Sequence, residues 1–415
     1  MSEHFDALET RDPAEREAQL MAALGPQIAH AQSKSGAFAR ILEGVDAQAV
    51  TSRTALAKLP VTRKSELYET QRAMRGTDVF GGFATVVRGP GMPHVFASPG
   101  PIYEPDQAVR DYWRCGRAMF SAGFRAGDLV HNAFSYHMTP GAFIFESGAH
   151  AIGCSVFPAG VGQTEMQVQA MQDLRPDGYV GTPSFLRILV EKAHETNVDI
   201  ASLRKAMVGG EALPPSLRDW FGEHGIAAYQ SYATADLGMI AYETTAREGM
   251  VVEEGAIVEI VRPGTGEPVP EGEVGEVVVT TLNTAYPLIR FGTGDLSAVL
   301  RGTCPTGRTN MRIKGWLGRA DQTTKVRGMF VHPAQVAEIA RRFPEIVRAR
   351  LVVSGEMAND VLTLNVETAG AHDGLHGRIG EAIREVTKLR GEVVLLAPGS
   401  LPNDGKVIED ARSYR

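Results

Sequence analysis

From about residue 85, short apolar runs alternate with amphipathic stretches. The runs are Asp128-Leu-Val-His-Asn-Ala-Phe134, Ser155-Val-Phe157, Gly178-Tyr-Val-Gly181 and Lys205-Ala-Met-Val-Gly209, and residues 163–174 and 184–194 between them carry helical spacing. Strands that alternate with helices predict parallel sheets covered by helices. The first 45 or so residues read as polar helices from their spacing and Ala/Glu content. Residues 59–67 read as a strand or loop leading into a short capped helix. From about 251 the texture changes to Val/Glu/Gly-rich strands with turns at Pro263-Gly264 and Glu271-Gly272, which predicts an antiparallel, barrel-like subdomain. After Gly318 a smaller α+β unit follows, with helices over 333–342 and near 374–389 and strands over 348–353 and 361–366. The expected fold class is therefore α/β. A large N-terminal domain, 1–318, combines helix-covered parallel sheets with the barrel-like part, and a small, mobile α+β domain occupies 319–415.

A chain of 415 residues with 43% hydrophobic content should form two or three domains around at least one large core. It has 42 basic and 49 acidic residues, a formal charge of −7, and no long Lys/Arg run. That argues against a nucleic-acid or anionic-membrane surface and points to small-molecule partners. Cys115, Cys154 and Cys304 are scattered, which suits small buried hydrophobes better than a zinc site or a disulfide framework. No apolar run is long enough to span a membrane, and the charged N-terminus lacks an apolar signal core, so a cytoplasmic enzyme is expected.

The run Tyr286-Pro-Leu-Ile-Arg-Phe-Gly-Thr-Gly-Asp295 places a carboxylate after a Gly-flanked turn, and Gly318-Arg319-Ala-Asp321 marks a turn where a domain of this size should end. An ionised Asp accepts two hydrogen bonds at once, which suits the paired hydroxyls of a ribose. A second domain just downstream suits a lid. An ordinary hairpin and a linker fit this segment equally well.

Gly160-Val-Gly-Gln-Thr-Glu165, Arg175-Pro-Asp177 and Thr182-Pro-Ser-Phe-Leu186 carry a resemblance to the phenylacetate–CoA ligase branch of the adenylate-forming (acyl-CoA synthetase, luciferase-like) superfamily. That family has a GGQTE-type helix start followed by a TPSY-type strand end. The resemblance recurs in order. Val208-Gly-Gly-Glu-Ala-Leu213 is similar to its adenine-side loop, and Ser231-Tyr-Ala-Thr-Ala-Asp236 to its YGxSE-type motif. Glu276-Val-Val-Val-Thr-Thr-Leu282 and residues 289–295 are similar to its strand and ribose motif. Gly318–Asp321, Arg327-Gly328 and 331–335 resemble its hinge and the start of its small domain, and Gly405-Lys406 its catalytic-lysine tail. The ordered set runs from about 58 to 406.

The resemblance implies an AMP-forming ligase. It would join an aromatic or similar small carboxylic acid to coenzyme A through an acyl-adenylate, using ATP and Mg²⁺, as a homodimer. Lys406 would bring positive charge to the two anions that must meet. Asp295 would hold the ribose hydroxyls, with Arg319 either a second donor to that sugar or a surface ion pair. Tyr232 would stack on adenine, flanked by Ala233 and Thr234, with Gly210, Glu211 and Ala212 as the opposite wall. Asp236 stands where the family usually has Glu and would serve Mg²⁺ with one methylene less of reach. Asp321 would be the hinge. Phe134, Tyr136, His137 and Phe143 fall in the stretch resembling the acyl pocket.

The chain departs from the family at Ala97-Ser-Pro-Gly-Pro-Ile-Tyr-Glu-Pro105, where the family has an SSGTTGKP-type phosphate loop. Ser98, Gly100 and Pro105 match. Pro99 and Pro101 lack an N–H, Tyr103 replaces a permissive Gly, and Glu104 puts a negative charge where the family has a positive one. Such a loop should hold a triphosphate poorly. Two other readings therefore stay open: an adenylating enzyme serving a carrier protein or an amine, and a non-catalytic homologue that binds AMP or an acyl-adenylate.

Overall fold

The alternating apolar runs become the parallel half of a nine-stranded sheet. In a computed structural model, which describes residues 3–262, 265–320, 324–327, 329–331, 333–355, 360–368, 374–402 and 407–412, five strands pair in parallel. Their order is Ser155–Phe157, Leu129–Asn132, Gly178–Gly181, Lys205–Val208 and Ala227–Thr234. Helices cross between them, as the 3.6-residue spacing requires. In Pro183–Glu195 the buried positions Leu186, Leu189, Val190 and Ala193 fall on one face. Thr182 caps that helix by accepting from Phe185 N at 3.3 Å, and Pro183 fills its first turn, where no N–H is needed.

The sheet continues antiparallel through Gly238–Glu243, Met250–Val252, Arg312–Ile313 and Val299–Leu300. The Val/Glu/Gly-rich region is thus shared between two sheets. Its remaining strands, Ala256–Val261, Gly275–Thr281 and Phe291–Ser297, pair antiparallel in a second, open sheet of four. The fourth member is Thr62–Arg63, parallel to Phe291–Gly292. The expected barrel-like region stays open because Met250–Val252 and the short strands near 300 and 312 pair with the larger sheet instead.

The N-terminal helix Pro13–Lys34 is capped by Asp12, whose side chain accepts from Ala14 N and Glu15 N. Its apolar stripe, Leu20, Leu24, Ile28 and Ala31, is buried in the same core as Ile257, Val277 and Phe291 of the second sheet. The three cysteines are free and buried.

The chain divides into two compact units. Met1–Leu213 and Leu217–Leu317 make the larger one, and Pro214–Ser216 with Gly318–Arg415 make the smaller. The smaller has a sheet ordered Glu392–Leu396, Val361–Thr368, Ile346–Ser354, Ile408–Asp410, with helices Pro333–Arg341 and Leu375–Thr387. Leu375, Ile379, Ala382 and Ile383 of the second helix join Leu351, Leu364 and Val366 in a core of its own. No helix among the described residues is long and apolar enough to cross a membrane.

Candidate active site

The strand Lys205–Val208 ends at Gly209-Gly210. Gly210 has φ of +76°, which favours glycine, and a Cβ at Gly209 would lie 2.6 Å from Ser231 Oγ and displace that hydroxyl. The two glycines let the 209–212 loop pass close to the carboxyl end of Ala227–Thr234, where Tyr232, Ala233 and Thr234 lie. Carboxyl ends of parallel strands are where open α/β sheets bind ligands. Glu211 offers a buried carboxylate oxygen, Oε2, with no hydrogen-bond partner.

Asp295 arrives from the other sheet, on Phe291–Ser297, and is 9% exposed. The Tyr232 hydroxyl donates to its Oδ2 at 2.9 Å, and Trp316 Nε1–H donates to its Oδ1 at 3.1 Å. Its own N–H donates to Thr293 Oγ1 at 3.1 Å, and that hydroxyl donates to Val277 O at 2.9 Å. A carboxylate inside its strand, not at the strand's end, is thus held in one orientation, joined to the aromatic ring read as the adenine partner. Trp316 does not stand out in the sequence; its signal is its place two residues before the Gly318 turn. Tyr232→Phe removes one anchor and keeps the ring. It should weaken AMP binding about fivefold to tenfold, the worth of one hydrogen bond, as read by calorimetric titration.

The divergent segment forms the hairpin Val95–Ser98 with Ile102–Pro105. Here the structure corrects the charge argument. Glu104 is only 2% exposed, and one of its oxygens accepts from Ser98 Oγ. Burial, and then the charge of Asp236, push its carboxyl up to about 8. It therefore carries little charge at neutral pH and is directed into the hairpin, toward Ser98. Ser98, which matches the family's phosphate loop and is expected on that resemblance to bind the nucleotide cofactor, is 4% exposed and directs its hydroxyl into the hairpin.

Asp236 follows the strand that carries Tyr232 and is 7% exposed. Its Oδ2 accepts from Lys64 Nζ at 2.8 Å, and its buried Oδ1 has no partner. Lys64 begins the helix Lys64–Met74. A sequence reading sees it only as a helix start, because the pair it forms spans 172 residues. An unpaired, buried carboxylate oxygen suits a hard divalent cation such as Mg²⁺.

Phe134 stacks on Phe145 with centroids 4.6 Å apart and lies 3.9 Å from where a Cβ on Gly210 would sit. Phe143 lies within 5.0 Å of Phe96, 4.8 Å of His94 and 5.4 Å of Tyr136, centroid to centroid. The Tyr136 hydroxyl accepts from Asn132 Nδ2 at 3.0 Å and donates to Glu146. Burial, then Glu146, hold its pKa above the usual phenol range. Tyr136 and Phe143 thus lie together beside the hairpin, and Phe134 lies beside the 209–212 loop; His137 is exposed. Arg319 is half-buried and belongs to the smaller unit. Asp321 and Lys406 lie outside the described residues. Among the described residues no group of three or more His, Cys, Asp or Glu side chains could hold a metal by itself.

Comparison with known proteins adds to this geometry. A family described as AMP-binding enzyme matches residues 108–286. The phenylacetate–coenzyme A ligase of Thermus thermophilus is 31% identical, over 90% of this chain and 91% of its own length. That of Aromatoleum evansii is 32% identical, over 82% and 79%. A crystal structure of 2-hydroxyisobutyryl-CoA ligase, in complex with 2-HIB-AMP and CoA in the thioesterification state, superposes with a TM-score of 0.79 at 26% identity. It covers 100% of this chain and 93% of that one.

Proposed function

The chain belongs to the phenylacetate–coenzyme A ligase family of AMP-binding enzymes, and on that premise we propose how its residues divide the reaction. It is an AMP-forming acid–CoA ligase that uses ATP and coenzyme A. A carboxylate oxygen of the acid attacks the α-phosphorus of ATP, the bond from that phosphorus to the bridging oxygen breaks, and pyrophosphate leaves. The thiol sulfur of coenzyme A then attacks the acyl carbon, AMP leaves, and the thiol proton passes to solvent.

The observation that carries the assignment is the joint hold of Tyr232 and Trp316 on Asp295. It supports a nucleoside site in which Asp295 binds the ribose diol; a role for Arg319 as a second donor to that sugar rests on the family resemblance alone. Tyr232 covers adenine opposite Gly210, Glu211 and Ala212, and Ala233 and Thr234 line the adjoining strand end. Bound Mg²⁺ would neutralise phosphate charge, with Asp236 as its protein ligand, an assignment supported by the unpaired Oδ1. Phe134, Tyr136 and Phe143 favour an aromatic or similar small acid, and His137 stands at the margin of that group. A boundary at 318/319 would separate the catalytic body from a lid, with Asp321 as the pivot that brings in Lys406 and withdraws it. Family resemblance favours a homodimer, which mass photometry would register at twice 44.7 kDa. The two soluble substrates favour a cytoplasmic setting.

The test is pyrophosphate exchange into ATP across a panel of aryl and short-chain acids. Absence of exchange with every acid, alongside measurable AMP binding, would overturn the ligase assignment. Lys406→Ala should lower exchange by about 100-fold or more, since it removes charge stabilisation from the adenylation transition state. Thioester formation from supplied acyl-adenylate should stay near the wild-type rate. Equal loss of both steps would mean that Lys406 serves the fold.

A further inference from the structure

Three buried oxygens without a hydrogen-bond partner belong to side chains that influence one another electrostatically: Glu104 Oε2, Asp236 Oδ1 and the Tyr286 hydroxyl. The charges of Glu104 and Asp236 both act on Tyr286, and that of Asp236 acts on Glu104. All three side chains are more than nine-tenths buried. Unpaired buried polar atoms are costly and uncommon, and three in one neighbourhood mark a place built for something with several oxygen contacts. The remaining oxygens are already assigned: Ser98 Oγ holds Glu104 Oε1, and Lys64 Nζ holds Asp236 Oδ2. Lys64 is 40% exposed at its side chain, so the cluster reaches solvent on that side.

We propose that Glu104 and Asp236 together bind a divalent cation, Mg²⁺ in the working enzyme, so that the divergent hairpin supplies a metal ligand where related loops supply a phosphate-binding lysine. The site rests on the ligase assignment above for its purpose. Mg²⁺ prefers six oxygens, takes one or two carboxylates from a protein, and completes its shell with water and substrate phosphate. Two carboxylates suit that habit and are too few for a closed protein cage. Charge gives the reason for the exchange. Ionised, the two carboxylates and Lys64 leave one net negative charge beside the phosphate path, and a bound divalent ion turns it into one net positive charge. The hairpin then attracts a triphosphate through the ion. Pro99 and Pro101, which remove backbone donors from the turn, matter less in a loop that works in this way. The position of Glu104 fits the role, because its strand pairs with Val95–Ser98 with Glu104 opposite Phe96. That register holds the carboxyl inside the hairpin beside Ser98, where a solvent-facing residue could not share a ligand with Asp236.

The test uses Mn²⁺ as the probe and the intact protein, with bound ion read by loss of the sharp six-line electron paramagnetic resonance signal of free Mn²⁺. The wild type should bind one Mn²⁺ at this site. Glu104→Gln and Asp236→Asn should each weaken it by about tenfold or more, the scale on which even outer-sphere partners act. Unchanged AMP affinity and thermal midpoint would show that each variant is folded. Tyr286→Phe, which removes a hydroxyl and no charge, should stay within about twofold, far below the effect of a lost ligand. Binding by Glu104→Gln equal to wild type would overturn the proposal, leaving Glu104 as a neutral acid that shares a proton or a water with Asp236. So would a wild type that binds no Mn²⁺. Pyrophosphate exchange in the wild type separates the two ideas: exchange with unaltered Glu104→Gln binding sinks this inference alone, and metal binding without exchange sinks the ligase assignment alone.

Discussion

Asp295→Ala should weaken AMP binding by about 100-fold to 1000-fold and abolish measurable pyrophosphate exchange. An ionised carboxylate that accepts from two ribose hydroxyls makes two charge-assisted hydrogen bonds, each worth about 1.5–3 kcal/mol when a partner is removed. Their sum is about 3–4 kcal/mol at the lower end, which is at least two decades in affinity. The geometry strengthens the expectation. Tyr232 and Trp316 hold both oxygens of the carboxylate, so little orientation remains to be lost on binding. Trp316→Phe should show a smaller loss, about tenfold at most, because it loosens one anchor and leaves the charge. Calorimetric titration with AMP reads both variants. An Asp295→Ala protein that binds AMP as tightly as the wild type would remove Asp295 from the nucleoside site.

Arg290→Met should be the most destabilising single change near the site, costing about 3–5 kcal/mol, as expected when one partner of a buried pair is removed. Arg290 is 2% exposed. It pairs with Glu259 through Nε at 3.0 Å and Nη2 at 3.1 Å, a two-pronged contact. Its other bonds run to the carbonyls of Ala57 at 2.8 Å, Leu59 at 2.5 Å and Gly266 at 2.7 Å. One guanidinium thus ties the segment before Thr62–Arg63 to the second sheet, immediately ahead of the strand that bears Asp295. The thermal midpoint of the larger unit should fall by several degrees. In a double-mutant cycle, Glu259→Gln with Arg290→Met should cost clearly less than the two single changes together, because the second change removes a charge already stranded by the first. Full additivity would show that the pair contributes through packing instead.

The elements that could be read in advance are those whose cause is local. Ser155–Phe157 and Gly178–Gly181 are short apolar runs bounded by turn residues, and they form where the pattern puts them. Residues 163–174 and 184–194 become helices displaced by about one residue at their ends, where capping decides the boundary. Tyr232, Asp236 and Asp295 were legible because each sits in a short motif with strand and turn signals on either side. The same motif logic misjudged Glu104. Its charge was visible in the sequence, but the hairpin register that buries it against Ser98, and the fold that brings Asp236 close, were not.

By itself the sequence determined an α/β chain with a smaller α+β unit after Gly318, and it singled out Asp295 as the carboxylate most suited to a sugar. Only the tertiary structure decided what surrounds those residues. Trp316 and Tyr232 reach Asp295 from 21 and 63 positions away, and Lys64 reaches Asp236 from 172. Periodicity and turn chemistry act over a few residues, so they specify elements. Partners for a buried carboxylate are chosen by how sheets stack, and no local pattern encodes that.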